Sequence, residues 1–539
     1  MSGMIVAPQP PAVEAGAKVL MQGGNAVDAA VTAAFVQCVV DPHCCSVGGY
    51  MVFNFHRTDS TPSEPPILID APALAGSRVT TDMWSDIVIG PNPDGWGYFL
   101  QGKVNDVGYQ SICTPGAIKG LATILERWGT ISWKDSLQPA IHTAAEGFMV
   151  SSDLAAQWKE PARYPEASSA LESIRSNPEA QRIYLKPDGS AYEAGDHLRN
   201  PDYASTLERL AQAGAEDFYQ GELASQMSND LAANHAFVTA DDLADYQLRE
   251  PDAVCGTYRG HRIASSQPPH GGPTLIAILN ILEQYEIDKL EHNSPAYIHR
   301  VAMAMKAAFA DRNAELADPQ FEKVPLQRMI SAERAAHWKS VIDSGKPINV
   351  SRNQSGTPDT TQVTVVDGQG NAVSLTHSRG SLSGSTISPG LGFFYNNSMV
   401  NFHPTAGHAN SIFPRKGRTT GMTPTIVYRG DKPRLVLGAP GATQIITSVL
   451  QVILNVIDFD MSITDAVLAP RFDCQEDRIR CQARISELVC AEVRRHHPIE
   501  RMAKSHGGLA LVHAIHIDPA TGRRTGAADT GAGGMALEV

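Results

Sequence analysis

Residues 359–378 read DTTQVTVVDGQGNAVSLTHS, in which two strand patterns flank a turn. Residues 361–366 are rich in Val and Thr, which favour strands. Residues 367–371 have the Asp, Gly and Asn composition of a turn, and residues 372–377 predict a second strand. The stretch therefore predicts a β-hairpin.

The segment before the hairpin has a different character. Residues 343–359 read DSGKPINVSRNQSGTPD, which is rich in Ser, Gly, Pro and Asn and has no apolar period. This composition predicts an exposed, mobile linker. The bond between Asp359 and Thr360 therefore lies where a polar linker meets a buried hairpin.

That junction has the residue types for nucleophilic chemistry. A Thr hydroxyl needs an adjacent base before it can act as a nucleophile. The α-amine of the same residue can be that base, because its pKa is about 7.7–8.0, but Thr360 gains a free amine only if the preceding bond is cut. Two threonines at the start of a strand are also an ordinary strand feature, so the local pattern leaves both interpretations open.

The rest of the chain alternates helices and strands in blocks. Apolar periodicity predicts helices at 12–23, 27–39, 118–128, 133–147, 203–213, 297–316 and 443–456. Strand patterns occupy 51–55, 425–428, 434–437 and 509–517. This order predicts an α/β layered domain whose two halves share one core.

The composition is that of an ordinary globular protein. The 539 residues are 42% hydrophobic and 19% charged, and no apolar run reaches the length of about 18 residues that a membrane span needs. The net charge of −13 opposes binding to nucleic acid or to an anionic membrane surface. We therefore expect no nucleic-acid partner and no membrane association.

The cysteines predict neither a metal site nor a disulfide framework. Eight cysteines are scattered without a C-x-x-C pair, so no structural zinc is expected. His43 lies beside Cys44 and Cys45, but its place between a buried helix and a glycine turn favours a packed structural role. The first residues lack a basic segment followed by an apolar one, so we expect a cytoplasmic protein with reduced thiols.

A series of short segments gives the chain its resemblance to a known family. In order they are GGNAVDAAV at 23–31, DPH at 41–43, TPG at 114–116, QPA at 138–140, DDLADY at 241–246, TTQVTVVD at 360–367, GNAVS at 370–374, Asn396-Asn397, MTPT at 422–425 and GAPG at 438–441. Together they resemble the γ-glutamyltransferase family, also called the γ-glutamyl transpeptidases. The matches run in order from about residue 4 to about residue 529, and their combination is specific although each one alone is weak.

The resemblance implies a fold and a reaction. The fold is the four-layer αββα, α/β (α+β) arrangement of N-terminal-nucleophile hydrolases. The precursor cleaves itself into a large subunit, residues 1–359, and a small subunit, residues 360–539, which remain together as a heterodimer. The cleaved enzyme forms an acyl-enzyme and passes the acyl group of a small-molecule amide, of the γ-glutamyl or glutathione type, to water or an amine. No cofactor and no metal are implied.

The resemblance also implies roles for particular residues. Cleavage falls between Asp359 and Thr360, and Thr360 is then both nucleophile and base. Ser378 stands where the family has a second Thr that supports the nucleophile. The backbone N–H groups of Gly441 and Ala442 fall where the family binds the oxyanion, and glycine lets the main chain approach a developing negative charge.

The sequence departs from the family at the positions that hold the glutamyl group. The substrate-binding positions carry Gly380, Ser398, Asn401, Thr420 and Gly421, and Leu68 stands near the place of a carboxylate-binding Arg. Neutral groups bind an ammonium or carboxylate less strongly than charged ones, so we expect the acyl specificity to have changed. Arg379, Arg415 or Arg418 could hold a carboxylate from a new direction, and each could instead be a solvated surface charge.

Two other functions are compatible with the sequence. The chain could be a family member that hydrolyses a non-glutamyl amide, or a non-catalytic binding homologue. Retention of Thr360, the glycine turn and the linker argues against the binding homologue, since a scaffold needs none of them. His377 lies next to Ser378 but should point to the opposite strand face, so we assign it no catalytic role.

Overall fold

Two antiparallel sheets face each other in the computed structural model, which describes residues 3–61, 64–93, 97–351, 359–381 and 386–539. Their strands are β1 (Met4–Ala7), β2 (Tyr50–His56), β3 (Ile67–Ala71), β4 (Val254–Tyr258), β5 (His261–Ser265), β6 (Asp359–Val366), β7 (Ala372–Gly380), β8 (Thr425–Arg429), β9 (Lys432–Gly438), β10 (His513–Ile517), β11 (Arg524–Ala528) and β12 (Met535–Glu538). The first sheet has the order β12-β1-β6-β7-β2-β3 and the second β11-β10-β9-β8-β5-β4. Each sheet therefore combines strands from both sides of residue 359.

Helices cover the outer face of each sheet. The longer ones are α1 (Pro10–Met21), α2 (Ala26–Val40), α3 (Ala117–Trp128), α4 (Trp133–Glu146), α5 (Pro201–Ala213), α6 (Glu222–Ala233), α7 (Gly272–Leu282), α8 (Pro295–Glu315), α9 (Ala332–Asp343) and α10 (Gln444–Ile457). Helices α1 to α3 pack on the first sheet, and α7 and α10 pack on the second. Apolar side chains fill both helix–sheet layers and the layer between the sheets.

Shorter elements connect these layers. The short helices are Ser85–Ile87, Gln101–Lys103, Tyr109–Ser111, Ser152–Lys159, Ala170–Ser176, Pro178–Tyr184, Asp217–Gln220, Ala240–Ala244, Ile287–Lys289, Leu326–Met329, Ser398–Asn401, Ile463–Leu468 and Glu487–Val493. The short strands are Val88–Pro91, Tyr98–Leu100, Phe148–Met149, His197–Leu198, Phe472–Asp473, Ile479–Cys481 and Ile499–Arg501. Among the helices described, none is both long enough and apolar enough to cross a membrane.

The sequence explains why α2 forms and where it begins. All of its residues are buried, as expected for a helix that is apolar on every side. The Asn25 side chain accepts hydrogen bonds from the N–H groups of Val27 and Asp28, and the Asp28 carboxylate accepts from Asn25 N, so the two residues form a capping box. Asp28 also accepts from Thr130, which ties α2 to the loop between α3 and α4.

The four-layer αββα fold predicted from the sequence is confirmed. The predicted helices and strands appear within a few residues of their expected bounds, except that the strand expected at 509–517 begins at His513. Residues 344–351 form neither helix nor strand. Residues 352–358 lie outside the described part of the chain, so the prediction of a mobile linker remains a prediction there.

Candidate active site

A β-bulge places Thr360 beside Ser378. The register between β6 and β7 shifts between Asp359 and Thr361. Two residues of β7, Ser378 and Arg379, therefore stand opposite the single residue Thr360. Bulges of this kind re-aim side chains next to active sites. Thr360 is 5% exposed and Ser378 is 1% exposed, so the pair lies inside the molecule.

The alternation of β6 turns Thr360 toward the layer between the sheets. Gln37 of α2 donates a hydrogen bond of 2.9 Å to Thr361 Oγ1, so Thr361 faces the helices. Thr364 Oγ1 donates a hydrogen bond of 3.1 Å to a backbone carbonyl of β10, so it faces the second sheet. Since alternate residues of a strand share a face, Thr360 falls on the same side as Thr364.

Strand β7 alternates in the same way. His377 Nε2 lies 2.8 Å from Gln37 Oε1 on the helix side, which confirms that His377 points away from the face of Ser378. Ser378 pairs with Tyr50 of β2, whose ring lies in the core between the sheets. Tyr50 could not be identified from the sequence, because the register between two strands distant in the chain cannot be read from one sequence.

The glycine turn after β9 lies over the start of β6. Gly438 packs so closely on Gln362 that a Cβ at 438 would lie 2.3 Å from Gln362 Oε1. Gly441 has φ 136°, and a Cβ there would lie 2.5 Å from Ala510 Cα, so this position requires glycine. Ala442 follows with φ 59°, in the left-handed region that a non-glycine residue seldom adopts.

The turn presents two unused donors at a helix terminus. Within the described residues neither Gly441 N–H nor Ala442 N–H donates a hydrogen bond. Both lie immediately before α10, where the helix dipole adds a partial positive charge. Such a pair of N–H groups can bind a developing oxyanion.

The predicted positions Thr420 and Gly421 lie against this turn. A Cβ at Gly421 would lie 2.0 Å from Ala442 O, so this position has no room for a side chain. Thr420 Oγ1 accepts a hydrogen bond of 3.1 Å from Met422 N. The structure therefore brings Thr420, Gly421 and Ala442 together.

A buried histidine contacts Thr420 from the other side. His270 Nδ1 lies 2.7 Å from Thr420 Oγ1, and His270 Nε2 lies 3.0 Å from Asp70 Oδ1. The second contact has an ion-pair distance without the angle of a hydrogen bond. His270 therefore lies between Asp70 and the Thr420 hydroxyl. Neither residue could be identified from the sequence, because nothing in their local patterns distinguishes them from core polar groups.

Asn397 fixes the end of the bulge at Gly380. Its side-chain Oδ1 accepts a hydrogen bond of 2.7 Å from Ser381 N, and its N–H donates to Arg379 O at 3.1 Å. Gly380 has φ 124°, and a Cβ there would lie 2.3 Å from Asn397 Oδ1. A side chain at 380 would therefore displace Asn397. Gly380 N donates to Ser378 Oγ at 3.0 Å, which holds that hydroxyl beside the bulge.

Ser398 and Asn401 lie on the short helix Ser398–Asn401 that follows Asn397, and both are fully buried. Ser398 Oγ has no hydrogen-bond partner among the described residues. Asn401 is linked to the Thr420 segment, because Asn410 donates to Asn401 O at 2.7 Å and accepts from Thr419 N at 3.1 Å. All the predicted substrate-binding positions therefore belong to one connected region.

The three candidate arginines lie in different places. Arg379 is fully buried on the helix side of β7, where its Nε donates to Pro42 O at 3.0 Å. Arg415 lies at the surface and pairs with Asp242 and Asp245. Arg418 is 4% exposed and donates to the hydroxyl of Tyr50, the neighbour of Ser378 across β2 and β7. Only Arg418 among these three contacts the face that carries Ser378.

Three possible metal ligands meet behind the bulge. Ligand atoms of Cys38, Cys45 and His377 lie within 4.8 Å of one another, and all three residues are buried. Burial by itself raises the pKa of the Cys38 thiol, but hydrogen bonds with Cys45 and His377 lower it to about 6. The sequence did not predict this group, since His377 is distant from the cysteines along the chain. The group offers three ligands, one fewer than a closed structural zinc site has.

A cavity opens beside the bulge. It has a volume of about 170 Å³ and lies next to Ser381 and Val400. Aromatic rings of Tyr98, Phe99 and Tyr164 line it. This aromatic, largely apolar space is lined by Ser381, the residue that follows Gly380 in the chain.

Comparisons with known proteins give the family and the fold of the chain. The model of the family described as Gamma-glutamyltranspeptidase matches residues 12–539. The chain is 34% identical to the acylase ACY 1 proenzyme of Pseudomonas sp. (strain V22), over 100% of this chain and 93% of the relative. It is 32% identical to the glutathione hydrolase proenzyme of Escherichia coli (strain K12), over 88% of this chain and 81% of the relative.

A solved structure gives the same fold. Cephalosporin acylase from Bacillus halodurans superposes with a TM-score of 0.86, covering 99% of this chain and 95% of that one at 24% identity. This likeness concerns the fold, and the family model together with the sequence relatives decides the membership. The chain belongs to the γ-glutamyltranspeptidase family of N-terminal-nucleophile hydrolases.

Proposed function

We propose that this protein is a self-processing amidohydrolase or acyltransferase whose nucleophile is Thr360. The observation that carries the proposal is the bulge that sets Ser378 opposite Thr360. The N–H groups of Gly441 and Ala442 in the turn over β6, which donate no hydrogen bond within the described residues, support it. The names of the relatives, acylase proenzyme and glutathione hydrolase proenzyme, support self-processing and amide chemistry.

The first step is cleavage of the chain itself. Thr360 Oγ attacks the carbonyl carbon of Asp359, the C–N bond between them breaks, and the hydroxyl proton passes to the released nitrogen. Water then hydrolyses the resulting ester, which frees the carboxylate of residue 359 and the α-amine of Thr360. The product has a nucleophile and a base on one residue, with the amine pKa near neutrality at about 7.7–8.0.

The second step is catalysis on an external amide. The Thr360 amine takes the hydroxyl proton while Oγ attacks the amide carbonyl, and the N–H groups of Gly441 and Ala442 hold the oxyanion. Collapse of this intermediate breaks the C–N bond and transfers the proton to the leaving amine. The Thr360 ester then passes its acyl group to water or to a second amine.

The neighbouring positions favour an acyl group other than a zwitterionic glutamyl group. No side chain fits at Gly380 or Gly421 without displacing Asn397 or Ala442. Leu68 is 2% exposed in the apolar layer between the sheets, where it brings no charge. Three of the contacts that would hold a glutamyl head are therefore blocked or apolar. We propose that the protein acts on a non-glutamyl amide and keeps the family's chemistry.

Intact mass spectrometry under denaturing conditions tests self-processing. We expect the wild type to separate into residues 1–359 and 360–539, and Thr360→Ala to remain one chain. Thr360→Ser keeps a hydroxyl and serves as the matched control, so it should still cleave. A wild-type chain that stays whole across neutral pH values and long incubation would contradict the proposal.

An anilide panel tests the external reaction. The cleaved wild type should release p-nitroaniline from an acyl anilide that lacks the α-amine faster than from γ-glutamyl-p-nitroanilide. Preference for the γ-glutamyl compound would assign the ordinary glutamyl specificity instead. A fully cleaved protein that releases no aniline from any member would favour the binding homologue.

A further inference from the structure

Two thiols and an imidazole from separate segments of the chain meet on the helix side of the first sheet. Cys38 lies in the last turn of α2, Cys45 in the loop that follows α2, and His377 on β7. Their ligand atoms lie within 4.8 Å of one another, and each residue is at most 1% exposed. Within the described residues no other His, Cys, Asp or Glu side chains form such a group of three.

The spacing of these atoms suits one small cation. Three ligands that lie in a plane at about 2.0–2.3 Å from an ion are about 3.5–4.0 Å apart. The group reaches this arrangement if each ligand atom moves inward by less than about 1 Å. Thiolate sulfur and imidazole nitrogen are ligands of Cu(I) and Zn(II), whereas Mg²⁺ and Ca²⁺ prefer oxygen. The ligand set therefore selects a thiophilic cation.

The hydrogen bonds of Gln37 fix which nitrogen of His377 is free. Gln37 Nε2 donates to Thr361 Oγ1 at 2.9 Å and to Gln362 O at 3.2 Å, and a backbone carbonyl can only accept. Gln37 Oε1 therefore faces His377 Nε2 at 2.8 Å and accepts a hydrogen bond from it. In the neutral ring this leaves the lone pair on Nδ1. Histidines that bind metals usually have this arrangement, in which the second nitrogen donates to an oxygen of the protein.

Polar side chains link the group to the surface. Cys45 Sγ donates a hydrogen bond of 3.7 Å to Asp41 O, and Asp41 Oδ2 accepts one of 2.5 Å from Gln9 Nε2. Gln9 Oε1 in turn accepts from Gln37 Nε2 at 2.5 Å. Gln9 and Asp41 are partly exposed, whereas Cys38 and Cys45 are buried. A cation can therefore reach the thiols past an amide and a carboxylate.

We propose that Cys38, Cys45 and His377 bind one thiophilic cation, Cu(I) or Zn(II), through the two sulfur atoms and Nδ1. Binding releases the two thiol protons to solvent. Cu(I) is satisfied by three ligands in a plane, whereas Zn(II) adds a fourth ligand, such as water. The two cysteines precede residue 359 and the histidine follows it, so the ion joins the two proposed subunits.

Competition titrations test the site. The reduced wild type should bind one equivalent of Cu(I) in competition with bicinchoninate, or of Zn(II) in competition with a chromophoric chelator. Cys38→Ala, Cys45→Ala and His377→Gln should each lower the affinity by more than about 100-fold, since even the outer partners of metal ligands contribute about 10–100-fold. His377→Gln keeps an N–H donor for Gln37 and removes Nδ1. Tighter Cu(I) binding would indicate the planar site, and tighter Zn(II) binding the site with a fourth ligand.

Other cysteines of the chain provide matched controls. Cys481 and Cys490 are a second pair of buried thiols, 3.6 Å apart, that belongs to no group with a histidine. Their double alanine variant should keep the wild-type affinity. Cys255→Ala removes an exposed thiol and should also keep it. Loss of the bound ion in either control would assign the binding to those thiols and overturn the proposal.

The wild type alone decides if a variant does not fold. We expect the bound ion to protect Cys38 and Cys45 from alkylation in mild denaturant, as read by peptide mass spectrometry, and to leave the alkylation of Cys113 and Cys474 unchanged. Both of these control thiols are buried outside the group. Equal protection of all four cysteines, or of none, would contradict binding at the proposed site.

Thermal unfolding adds a readout that is independent of self-processing. An ion that binds only the folded state should raise the Tm of the wild type by a few degrees and leave the Tm of Cys38→Ala unchanged. The Thr360→Ala chain contains all three ligands and should bind the ion as the wild type does. If both proteins bind it but the wild type never self-cleaves, the proposed function fails and the metal site stands. The absence of stoichiometric Cu(I) or Zn(II) binding at micromolar protein, or an unchanged affinity in folded Cys38→Ala and His377→Gln, would overturn the site.

Discussion

At the scale of single residues, the site depends as much on the absence of side chains as on their presence. Gly441 and Gly421 pack against Ala510 and Ala442 so closely that any Cβ would collide with backbone atoms. In the sequence, both positions show only a glycine near a predicted turn. The physical reason, a close approach between two loops distant in the chain, becomes visible in three dimensions.

A serine at position 421 tests this packing. Its Cβ would lie 2.0 Å from Ala442 O, so the turn that carries the N–H groups of Gly441 and Ala442 must shift. We expect Gly421→Ser to lower kcat by about 10²–10³-fold, the loss typical of a disabled oxyanion donor. Steady-state kinetics on the best anilide would measure it.

The matched control for this change is Gly90→Ser. A Cβ at Gly90 has no neighbour within 4 Å, so that variant should keep the wild-type kcat. A Gly421→Ser enzyme with wild-type kcat would show that the 441–442 turn does not take part in the rate-limiting step.

At the scale of elements, strands carry the site and their alternation sorts its residues. Strand β6 turns Thr360 toward the second sheet and Thr361 toward α2. The bulge between β6 and β7 places Ser378 on the same side as Thr360. Strand β10 of the second sheet faces β6 across the layer between the sheets. The backbone carbonyl of its residue His513 accepts a hydrogen bond from Thr364 Oγ1. The His513 ring is fully buried at the start of that strand.

His513 makes the fold sensitive to acid. Burial lowers the pKa of His513 to about 4, below the value of about 6.5 for a histidine in an unfolded chain. Between these two values the unfolded state binds a proton and the folded state does not. The free energy of unfolding therefore falls as pH drops from about 6.5 to about 4, by up to about 1.4 kcal/mol per pH unit from this residue.

Thermal unfolding at pH 7 and pH 5 would measure the effect. His513→Asn keeps a side-chain N–H near the Leu511 carbonyl, which His513 Nδ1 contacts at 2.9 Å, but cannot be protonated. We expect the drop in Tm between the two pH values to be smaller in His513→Asn than in the wild type. His142→Asn, at an exposed position of α4, should leave the drop unchanged. Equal drops in all three proteins would assign the acid sensitivity to other groups.

At the scale of the whole molecule, the sequence predicted the fold more completely than the site. Hydrophobic periodicity and turn composition are local, so the helices and the hairpin of β6 and β7 could be predicted with nearly correct bounds. The motifs located Thr360, Ser378 and the glycine turn as candidates. Tyr50, His270 and Asp70 could not be selected, because their places follow from strand register and loop packing between distant segments.

Both sheets combine strands from the two proposed subunits, and this predicts what cleavage does to the molecule. Strand β1 lies between β12 and β6, and β5 pairs with β8, so each pairing joins residues from opposite sides of position 359. Separating the fragments would expose the edges of both sheets and the apolar layer between them. We therefore expect the cleaved fragments to remain associated.

Native size-exclusion chromatography with light scattering would measure this association. In the cleaved wild type, one fragment 1–359 and one fragment 360–539 should elute together, with a combined mass equal to that of the uncleaved Thr360→Ala chain. Only denaturant should separate the two fragments. The Thr360→Ala chain is the matched control, since its strands are covalently joined and otherwise identical. Dissociation of the cleaved pair in native buffer would contradict the prediction, because it would mean that the shared sheets do not hold the two chains together.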